Sequence, residues 1–406
     1  MTNHRSTNSP SQQEKTCCDG DCVSQSSPSQ QLSESYCSDT VKTRGSATSP
    51  STPNSTEQTE QAGYYIYRFV SGWIDSTLGK IPQVTTTLKP IDHVGHWAMR
   101  WGVGRSIFRI TPGIYAVGFP CKTSPLLVSA NYKFSFDCLR SALKGVDAWV
   151  LVIDTKGINV WCAAGKGTFG TEEIVRRCKQ HQPEQLVSHR TIILPQLAAP
   201  GVAGYKVEQE TGFKVIYGPI KAADLKQFLA ADMKATEQMR KVNFTFWDRI
   251  VLTPVEISGL SKYTLYFCFA LFLLSGIGAD VFSFSAAWHR GIAAIGATLT
   301  GVISGCVLTP AFLPWLPARS FAAKGAMLGI VPATILALGP YKTDSIGAIV
   351  ALFLLIASLS SFTAMNFTGS TTYTSQSGVE KEMRFALPCQ GLAMFVAALL
   401  WIVAAF

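Results

Sequence analysis

The pattern of apolar and polar residues divides the chain into regions of very different character. Residues 1–62 are rich in Ser, Thr, Gln and Pro, so they cannot bury enough apolar surface to offset the entropy lost on ordering. Aromatic and aliphatic residues return from Gly63, and beyond Lys262 the chain is mostly apolar. The pattern predicts a disordered N-terminal arm (1–62), a globular domain (63–249), a linker (250–262) and an all-α transmembrane domain (263–406).

Short apolar runs alternate with amphipathic stretches between Ile114 and Met233, an alternation typical of a parallel α/β sheet. Ligands of such sheets bind beyond the carboxyl ends of the strands, so we expect a functional site in the loops after Ile153, Leu194 and Tyr217. The predicted strands are 126–129, 148–153, 191–194 and 214–217. The predicted helices are 134–143, 172–179, 202–211 and 222–233.

Five apolar stretches follow Lys262, each close to the roughly 20 residues needed to cross a bilayer. They hold almost no ionisable residues, which favours an anchor over a transporter. Most flanking cations fall on the side that carries the globular domain, which predicts a cytoplasmic-membrane protein with that domain in the cytoplasm. The stretches are 263–283, 291–309, 321–339, 345–365 and 385–406. The cations on the domain side are Arg249, Lys262, Arg319, Lys324, Lys381 and Arg384, and those on the other side are Arg290 and Lys342.

The composition agrees with a membrane protein. Of the 406 residues, 47% are hydrophobic and only 15% are charged, and the mean hydropathy is +0.21, which excludes an ordinary soluble globule. The formal net charge of +9 is compatible with binding to nucleic acid or to an anionic surface. Because many of the cations flank the apolar stretches, we assign the charge to contacts with membrane lipid and predict no nucleic-acid partner.

The loop after Ile153 contains a glycine pattern that resembles nucleotide-binding motifs. Gly165, Gly167 and Gly170 spell G-x-G-x-x-G, but a dinucleotide fingerprint follows its strand at once, whereas about ten residues intervene here. A phosphate-binding loop of the G-x-x-x-x-G-K-[ST] type is also excluded, because position 160 is Val160 instead of glycine and Lys166 precedes Gly167 instead of a serine or threonine. Nucleotide binding is therefore disfavoured.

The same loop carries a single thiol, Cys162, between Trp161 and a run of small residues. We predict a short helix capped by Asn159, and a helix N-terminus favours the thiolate, which ligates soft metals. Thr171 is the predicted N-cap of the following helix. No second cysteine lies at C-x-x-C spacing, so a zinc site is unsupported, and spacing alone leaves a buried structural cysteine as the alternative.

The uninterrupted run 159–166, Asn-Val-Trp-Cys-Ala-Ala-Gly-Lys, resembles the cap-helix signature of the HgcA family, the membrane-bound corrinoid proteins of mercury methylation. The resemblance extends over most of residues 100–233 and continues into a C-terminal membrane domain. The globular part is also similar to the corrinoid-binding domain of the corrinoid iron–sulfur protein, which implies a Rossmann-like fold. The other matching segments are 112–118, 130–133, 196–202 and 212–219.

The resemblance implies a cobalamin-type corrinoid whose cobalt is bound from its lower face by Cys162, the expected catalytic and metal-binding residue. Asn159 and Trp161 would lie beside the ring, and Ala163 and Ala164 would leave space for it. The full set of implied cofactor-binding residues is Asn159, Val160, Trp161, Cys162, Ala163, Ala164, Gly165, Lys166, Gln196, Leu197, Ala199, Pro200, Gly201, Val202, Gly218 and Pro219.

The activity implied by the resemblance is transfer of a methyl group from a methyltetrahydrofolate-derived donor to Hg(II), which forms methylmercury. A ferredoxin-like iron–sulfur protein would be the electron donor. Two alternatives stay open at this point. One is a membrane-tethered corrinoid methyl carrier with a different acceptor, and the other is a non-enzymatic metal-binding membrane protein.

Other thiols and imidazoles give weaker signals. Four cysteines lie in the arm, where they are either collectors of Hg(II) or incidental free thiols. Asp92, His93 and His96 are potential metal ligands, but no further ligand follows nearby, which favours a structural role. The arm cysteines are Cys17, Cys18, Cys22 and Cys37. The remaining cysteines show no paired spacing and are predicted to be packing residues: Cys121, Cys138, Cys178, Cys268, Cys306 and Cys389.

Overall fold

A computed structural model describes residues 60–61, 63–104, 108–279, 281–338, 345–367 and 376–406. These residues belong to one compact unit, Gln58–Phe406. The predicted arm with its four cysteines lies outside the described residues, apart from 60–61, and so does Lys342.

A seven-stranded mixed sheet forms the centre of the globular domain, with strand order β3-β4-β5-β7-β6-β8-β9 once the strands are numbered along the chain. A separate two-stranded sheet precedes it. The strands are β1 (Glu60–Gln61), β2 (Tyr64–Tyr65), β3 (Val70–Ser76), β4 (Gly79–Val84), β5 (Gly113–Val117), β6 (Leu126–Ala130), β7 (Ala148–Ile153), β8 (Thr191–Leu194) and β9 (Lys214–Tyr217). The four strands predicted from the sequence, β6 to β9, are confirmed.

The sheet as a whole is mixed, not parallel throughout. The predicted strands β6 to β9 are parallel to one another, but β5 runs antiparallel to β7, and β3 and β4 form an antiparallel hairpin. A parallel connection needs a crossover of a dozen or more residues. Because only residues 118–125 separate β5 from β6, the chain turns back and β5 takes the opposite direction.

Helices cover both faces of the sheet and account for its continuously buried strands. Ile114, Leu151 and Ile192 belong to one core cluster with apolar residues of α4 and α5. Alternate residues such as Tyr115 and Val150 belong to a second cluster with residues of α2 and α6. The helices are α1 (Pro90–Arg100), α2 (Lys133–Ala142), α3 (Val160–Gly165), α4 (Thr171–His181), α5 (Gly204–Thr211) and α6 (Leu225–Ala230). Short 3₁₀ turns lie at Pro183–Gln185, Gln196–Gly201, Ala222–Asp224 and Gln238–Arg240.

The predicted helices 134–143, 172–179 and 202–211 correspond to α2, α4 and α5, whereas 222–233 divides into a 3₁₀ turn and α6. The predicted N-cap of α4 is wrong, because Gly170 occupies the cap position and Thr171 is the first helical residue. The Thr171 hydroxyl instead accepts a hydrogen bond of 2.9 Å from the Ala203 N–H. Thr171 therefore ties α4 to the loop after β8.

The C-terminal part of the chain is helical. Four segments are long and apolar enough to cross a membrane: Phe246–Ser275, Phe284–Trp315, Ile346–Asn366 and Glu380–Val403. The third predicted stretch forms a shorter apolar helix, Phe321–Ala337, in the same search of the described residues. The elements are α7 (Phe246–Ile250), α8 (Thr253–Ser275), β10 (Ile277–Gly278), β11 (Val281–Phe282), α9 (Phe284–Ile303), α10 (Thr309–Phe312), α11 (Phe321–Leu338), α12 (Ile346–Asn366) and α13 (Gln376–Val403), with a π turn at Ser304–Leu308 and a 3₁₀ turn at Leu313–Trp315.

Arg249 joins the end of the α/β part of the chain to the apolar C-terminal helices. Its guanidinium is buried and donates hydrogen bonds to the carbonyl oxygens of Phe244 (2.8 Å), Pro310 (2.7 Å) and Ala311 (3.1 Å). These carbonyls carry the partial negative charge that a cation prefers. The predicted linker is also partly helical, since α8 begins at Thr253.

Candidate functional site

The candidate site lies at the carboxyl ends of the parallel strands. In the order β7-β6-β8-β9, β7 follows β6 on one side and β8 lies on the other, so the direction of winding reverses at β6. Ligands of doubly wound sheets bind in the crevice outside such a reversal point. The loops that follow β6, β7 and β8 meet here.

Helix α3 is a short cap helix in the loop after β7. Asn159 has an extended backbone, and its Oδ1 accepts a hydrogen bond of 2.9 Å from the Cys162 N–H. The predicted helix and its cap are therefore confirmed. At the other end, the Lys166 N–H donates to the Cys162 carbonyl oxygen, and Gly167 has a φ of +77°, a left-handed conformation that glycine adopts without strain.

The two faces of α3 differ. Ala163 and Ala164 are buried and belong to the core cluster. Trp161, Cys162, Gly165 and Lys166 are exposed, and the Cys162 thiol is free. The alternative of a buried structural cysteine is therefore wrong for Cys162. Ala163 and Ala164 lie on the inner face of the helix, where they pack against the protein interior.

The inner face of α3 packs on the 3₁₀ turn Gln196–Gly201. A Cβ on Gly201 would lie 2.5 Å from the Phe169 carbonyl oxygen and 2.9 Å from the Ala164 carbonyl oxygen. Only glycine permits backbone contact this close. The buried ring of Phe169 and a hydrogen bond of 3.1 Å from its N–H to the Ala163 carbonyl close the loop behind the helix. The cap helix is consequently held in one position.

The structure brings together most of the loop residues that the sequence analysis singled out. Within the 3₁₀ turn, Pro200 is exposed, whereas Gln196, Leu197, Ala199 and Gly201 are partly exposed. Val202, Gly218 and Pro219 are buried. The Tyr217 hydroxyl donates to the Val202 carbonyl oxygen (2.7 Å) and the Gly218 N–H to the Leu194 carbonyl oxygen (2.8 Å). Because Leu194 and Val202 flank the turn, these bonds tie both ends of the turn to the end of β9.

Asn131 is a site residue whose role the sequence analysis missed. Its buried Oδ1 accepts hydrogen bonds from the Thr155 N–H (3.1 Å), the Thr155 hydroxyl (2.9 Å) and the Gly157 N–H (3.0 Å). Its Nδ2 donates to Asp154 Oδ1 at 2.9 Å. The available signal was a polar side chain directly after a buried predicted strand. Asn131 fixes the start of the loop that carries α3.

The carboxylate and imidazole groups of α1 take part in ion pairs with α2. His96 Nε2 lies 2.8 Å from Asp137 Oδ2, and Asp92 pairs with Lys133 (2.9 Å) and Arg140 (3.0 Å). Across the described part of the chain, no three His, Cys, Asp or Glu side chains are grouped to hold a metal ion. These contacts favour the structural role for Asp92 and His96.

The pKa values of both carboxyl groups in this network are lowered. Burial alone would raise the pKa of Asp92, but the hydrogen bond from the Lys89 N–H and the charges of Lys133 and Arg140 outweigh it and lower the pKa to about 2. The pKa of Asp137 is also lowered. Burial opposes this shift, and hydrogen bonding to His96 and Lys133 together with the charges of Lys133 and Arg140 overcomes it.

The part of the chain that carries this site is similar to known proteins. Residues 104–229 match the family model of CdhD, the CO dehydrogenase/acetyl-CoA synthase delta subunit. The acetyl-CoA decarbonylase/synthase complex subunit gamma of Methanopyrus kandleri is 34% identical over 122 residues, which are 30% of this chain and 26% of that protein. The subunit gamma of Archaeoglobus fulgidus is 28% identical over 127 residues, 31% of this chain and 27% of that protein.

The corrinoid/iron–sulfur protein large subunit of Moorella thermoacetica is 27% identical over 127 residues, 31% of this chain and 28% of that protein. The chain thus spans about a quarter of the length of these relatives. The matched residues include the strands β5 to β9 and the cap helix. Residues 104–229 are therefore similar to the CdhD family and to part of the corrinoid/iron–sulfur protein large subunit.

Proposed function

We propose that this chain is a membrane-anchored corrinoid protein that transfers a methyl group from a methyltetrahydrofolate-derived donor to Hg(II). Cys162 is the proposed lower ligand of the cobalt. The observation that carries the proposal is the exposed free thiol on a capped helix at the carboxyl edge of the sheet. The CdhD-like domain supports the corrinoid, and the resemblance of residues 159–166 to the HgcA cap helix supports Hg(II) as the acceptor.

The residues present fit a corrinoid better than a metal ion bound by protein ligands alone. Cys162 is the only thiol on α3, and the described residues contain no group of three potential metal ligands. A single thiolate suits a metal that brings its other ligands with it, as the cobalt of a corrin ring does. The exposed face of α3 also presents Trp161, which offers apolar surface to a flat ring.

The chain positions the thiol through contacts on the other side of the helix. Asn159 binds the backbone N–H of Cys162, while Ala163, Ala164 and Gly201 fix the helix to the adjacent turn. We expect the exposed residues of that turn to line one side of the cofactor pocket, with Val202, Gly218 and Pro219 behind them. A metal ligand works best when its neighbours hold its orientation.

The chemistry divides between the cofactor and the chain. When bound, a cobalamin-type corrinoid would supply a cobalt centre that takes up a methyl group and releases it to an acceptor. Cys162 contributes a soft, electron-donating thiolate. Such a ligand would favour a soft electrophile as the acceptor of the methyl group, and Hg(II) is one. Trp161 and the turn Gln196–Gly201 would limit the access of water to the bound cofactor.

The proposed partners follow from the same resemblance. A ferredoxin-like iron–sulfur protein would supply electrons, and a protein of the methyltetrahydrofolate pathway would supply the methyl group. The relatives are named as subunits of acetyl-CoA decarbonylase/synthase complexes or of a corrinoid/iron–sulfur protein, which supports docking to other proteins. The four membrane-length helices support a membrane anchor. The distribution of Lys and Arg supports the cytoplasmic membrane, with the globular domain in the cytoplasm. We propose that Phe321–Ala337 completes a domain of about five spans.

A methyl carrier with a different acceptor is the second candidate, because the names of the relatives refer to acetyl-CoA synthesis rather than to mercury. A methyl-transfer assay distinguishes the two candidate functions, with the full chain purified in detergent and loaded with a methylcorrinoid. We expect methylmercury when Hg(II) is added, and little product from Cys162→Ala. Cys138→Ala is the matched control, since Cys138 is an exposed free thiol on α2.

A corrinoid-loaded chain that leaves Hg(II) unmethylated would favour the second candidate. A chain that binds metal ions but no corrinoid would indicate a non-enzymatic metal-binding protein.

A further inference from the structure

Helix α1 exposes a row of large apolar side chains. Ile91, Val94 and Trp97 are 51%, 62% and 66% exposed, and their spacing of three residues places them along one side of the helix. His96 and Met99 are buried on the opposite side. Exposed apolar surface of this kind marks a site of interaction with a protein or a membrane.

The inner side of α1 fixes the direction in which this row faces. Asp92 is paired with Lys133 and Arg140, and His96 contacts Asp137. Arg140 and Asp137 are fully buried. Rotation of α1 to hide its apolar row would separate these charged groups inside the protein, which is costly. The row therefore stays on the surface of the folded chain.

The C-terminal end of α1 meets the first membrane-length segment. A cleft of about 390 Å³ separates them and is lined by Trp101, Gly102 and Val103 on one side and by Val255, Ser258 and Gly259 of α8 on the other. A Cβ on Gly102 would lie 3.1 Å from Ser258 Oγ. Farther along α8, Tyr263 and Tyr266 are exposed. Apolar and aromatic surface thus continues from α1 onto the membrane helix.

We propose that α1 lies in the interfacial layer of the bilayer, with Ile91, Val94 and Trp97 among the lipids and a lipid chain in the cleft beside α8. The inference rests on the proposed membrane anchoring. Tryptophan and tyrosine concentrate at membrane interfaces, and helices with one apolar face lie in the interface plane. The apolar surface of α1 continues onto α8, which favours lipid as the occupant. A soluble partner would not require an apolar surface that is continuous with a membrane-length helix.

The attachment of α1 also places the functional site. After α1 the chain reaches residues 108–110, which pair with the end of β6, since the Ile110 N–H donates to the Asn131 carbonyl and the Lys133 N–H to the Phe108 carbonyl. The C-terminal end of α1 therefore leads to the carboxyl edge of the sheet, where a cofactor at Cys162 would lie.

Oxidative footprinting of the full chain tests this proposal, with nanodiscs of phosphatidylethanolamine and phosphatidylglycerol as the bilayer. Phe119 is the internal control, because it is 78% exposed and its N–H donates to Asp147 at the opposite edge of the sheet. We expect Trp97 to be oxidised several-fold more slowly than its exposure in the folded chain predicts, whereas Phe119 reacts as an exposed residue. The variant Val94→Glu with Trp97→Glu should expose Trp101 to oxidation, and Phe119→Glu should not.

Rapid oxidation of Trp97 in nanodiscs would overturn the proposal. Protection of Trp97 in native membranes but not in nanodiscs would also overturn it, because a protein would then be the occupant. Resistance to carbonate extraction, measured on the same samples, reports the membrane helices separately. A chain released by carbonate would contradict the proposed anchoring itself, whereas a retained chain with reactive Trp97 contradicts only the placement of α1.

Discussion

At the scale of single residues, the loop that carries the cap helix depends on Asn131. Its side chain accepts three hydrogen bonds and donates one within a buried site. Asn131→Ala leaves the N–H groups of Thr155 and Gly157 without partners, and each buried unsatisfied donor costs about 1–3 kcal/mol. We expect a loss of about 2–4 kcal/mol, measured by thermal unfolding of the full chain in detergent.

Ser129→Ala is the control for that substitution. Ser129 is also buried at the end of β6, but its hydroxyl makes a single hydrogen bond, to the Ala130 carbonyl. A loss of about 1 kcal/mol or less is expected. Equal effects of the two substitutions would show that Asn131 has no special part in holding the loop.

Residue roles were predictable where local chemistry determines them. Asn159 was identified as a cap because an asparagine before a short helix accepts a backbone N–H. Thr171 was assigned the same role wrongly, because its hydroxyl binds Ala203, a residue distant in sequence. The contacts of Asn131 are likewise long-range, and a single sequence does not encode which backbone groups will lie opposite a side chain.

At the scale of elements, one substitution can test the packing of α3 against the turn Gln196–Gly201, and another can test the exposed face of α3. Gly201→Ala would press a Cβ into two backbone oxygens, so we expect it to displace α3 and to reduce both stability and corrinoid binding. A Cβ on Gly165 meets nothing within 4 Å. Gly165→Ala should therefore leave the unfolding temperature almost unchanged and weaken only corrinoid binding, measured by equilibrium titration with hydroxocobalamin.

Gly95→Ala is a neutral reference for this pair, since it lies in α1 and its Cβ would also be free of contacts. If Gly201→Ala bound corrinoid with the affinity of the parent chain, close packing of α3 would not matter for the cofactor. If Gly165→Ala also bound it normally, the exposed face of α3 would not be the binding face.

The ion pairs between α1 and α2 predict a particular acid sensitivity. The pKa of Asp92 is about 2 in the folded chain and near 4 when unfolded. Because the folded value is the lower one, its contribution to stability is present above about pH 4 and is lost as the pH falls towards 2. The unfolding temperature of Asp92→Asn should be lower than that of the parent chain at pH 7 and should change less between pH 4 and 2.

Asp75→Asn is the matched control for Asp92, because Asp75 is an exposed carboxylate on β3. Its unfolding temperature should follow that of the parent chain at every pH. An Asp92→Asn profile that also matched the parent chain would contradict the role of the ion pairs.

The sequence predicted strands β6 to β9 because buried runs alternate there with amphipathic helices. Strands β3 to β5 were missed. The antiparallel direction of β5 depends on the short connection to β6 rather than on any local pattern. The third apolar stretch was predicted as a span from its composition, whereas in the described residues it forms a helix shorter than the other four.

At the scale of the whole molecule, two chain segments connect the site with the apolar C-terminal helices. One is α1 with its continuation to residues 108–110. In the other, Arg240 donates a hydrogen bond of 3.2 Å to Gln196 Oε1, and Arg249 follows shortly after and binds the carbonyls of Pro310 and Ala311. The turn that supports α3 is thus tied to the chain segment that leads into the apolar C-terminal helices.

The arm should be dispensable for the cofactor. All strands of the main sheet and the cap helix lie after residue 60, so we expect a chain without residues 1–59 to bind corrinoid with the affinity of the full chain. Loss of Cys17, Cys18, Cys22 and Cys37 should reduce only the capture of Hg(II) at low concentration. Loss of corrinoid binding after this deletion would show that the arm contributes to the site.

The most direct test of the account is X-ray absorption at the cobalt edge of the purified, corrinoid-loaded full chain. We predict a sulfur scatterer in the first coordination shell of cobalt, which disappears in Cys162→Ala and persists in Cys138→Ala. A shell of nitrogen and oxygen alone in the parent chain, or a sulfur signal that survives Cys162→Ala, would contradict the assignment of Cys162 as the cobalt ligand.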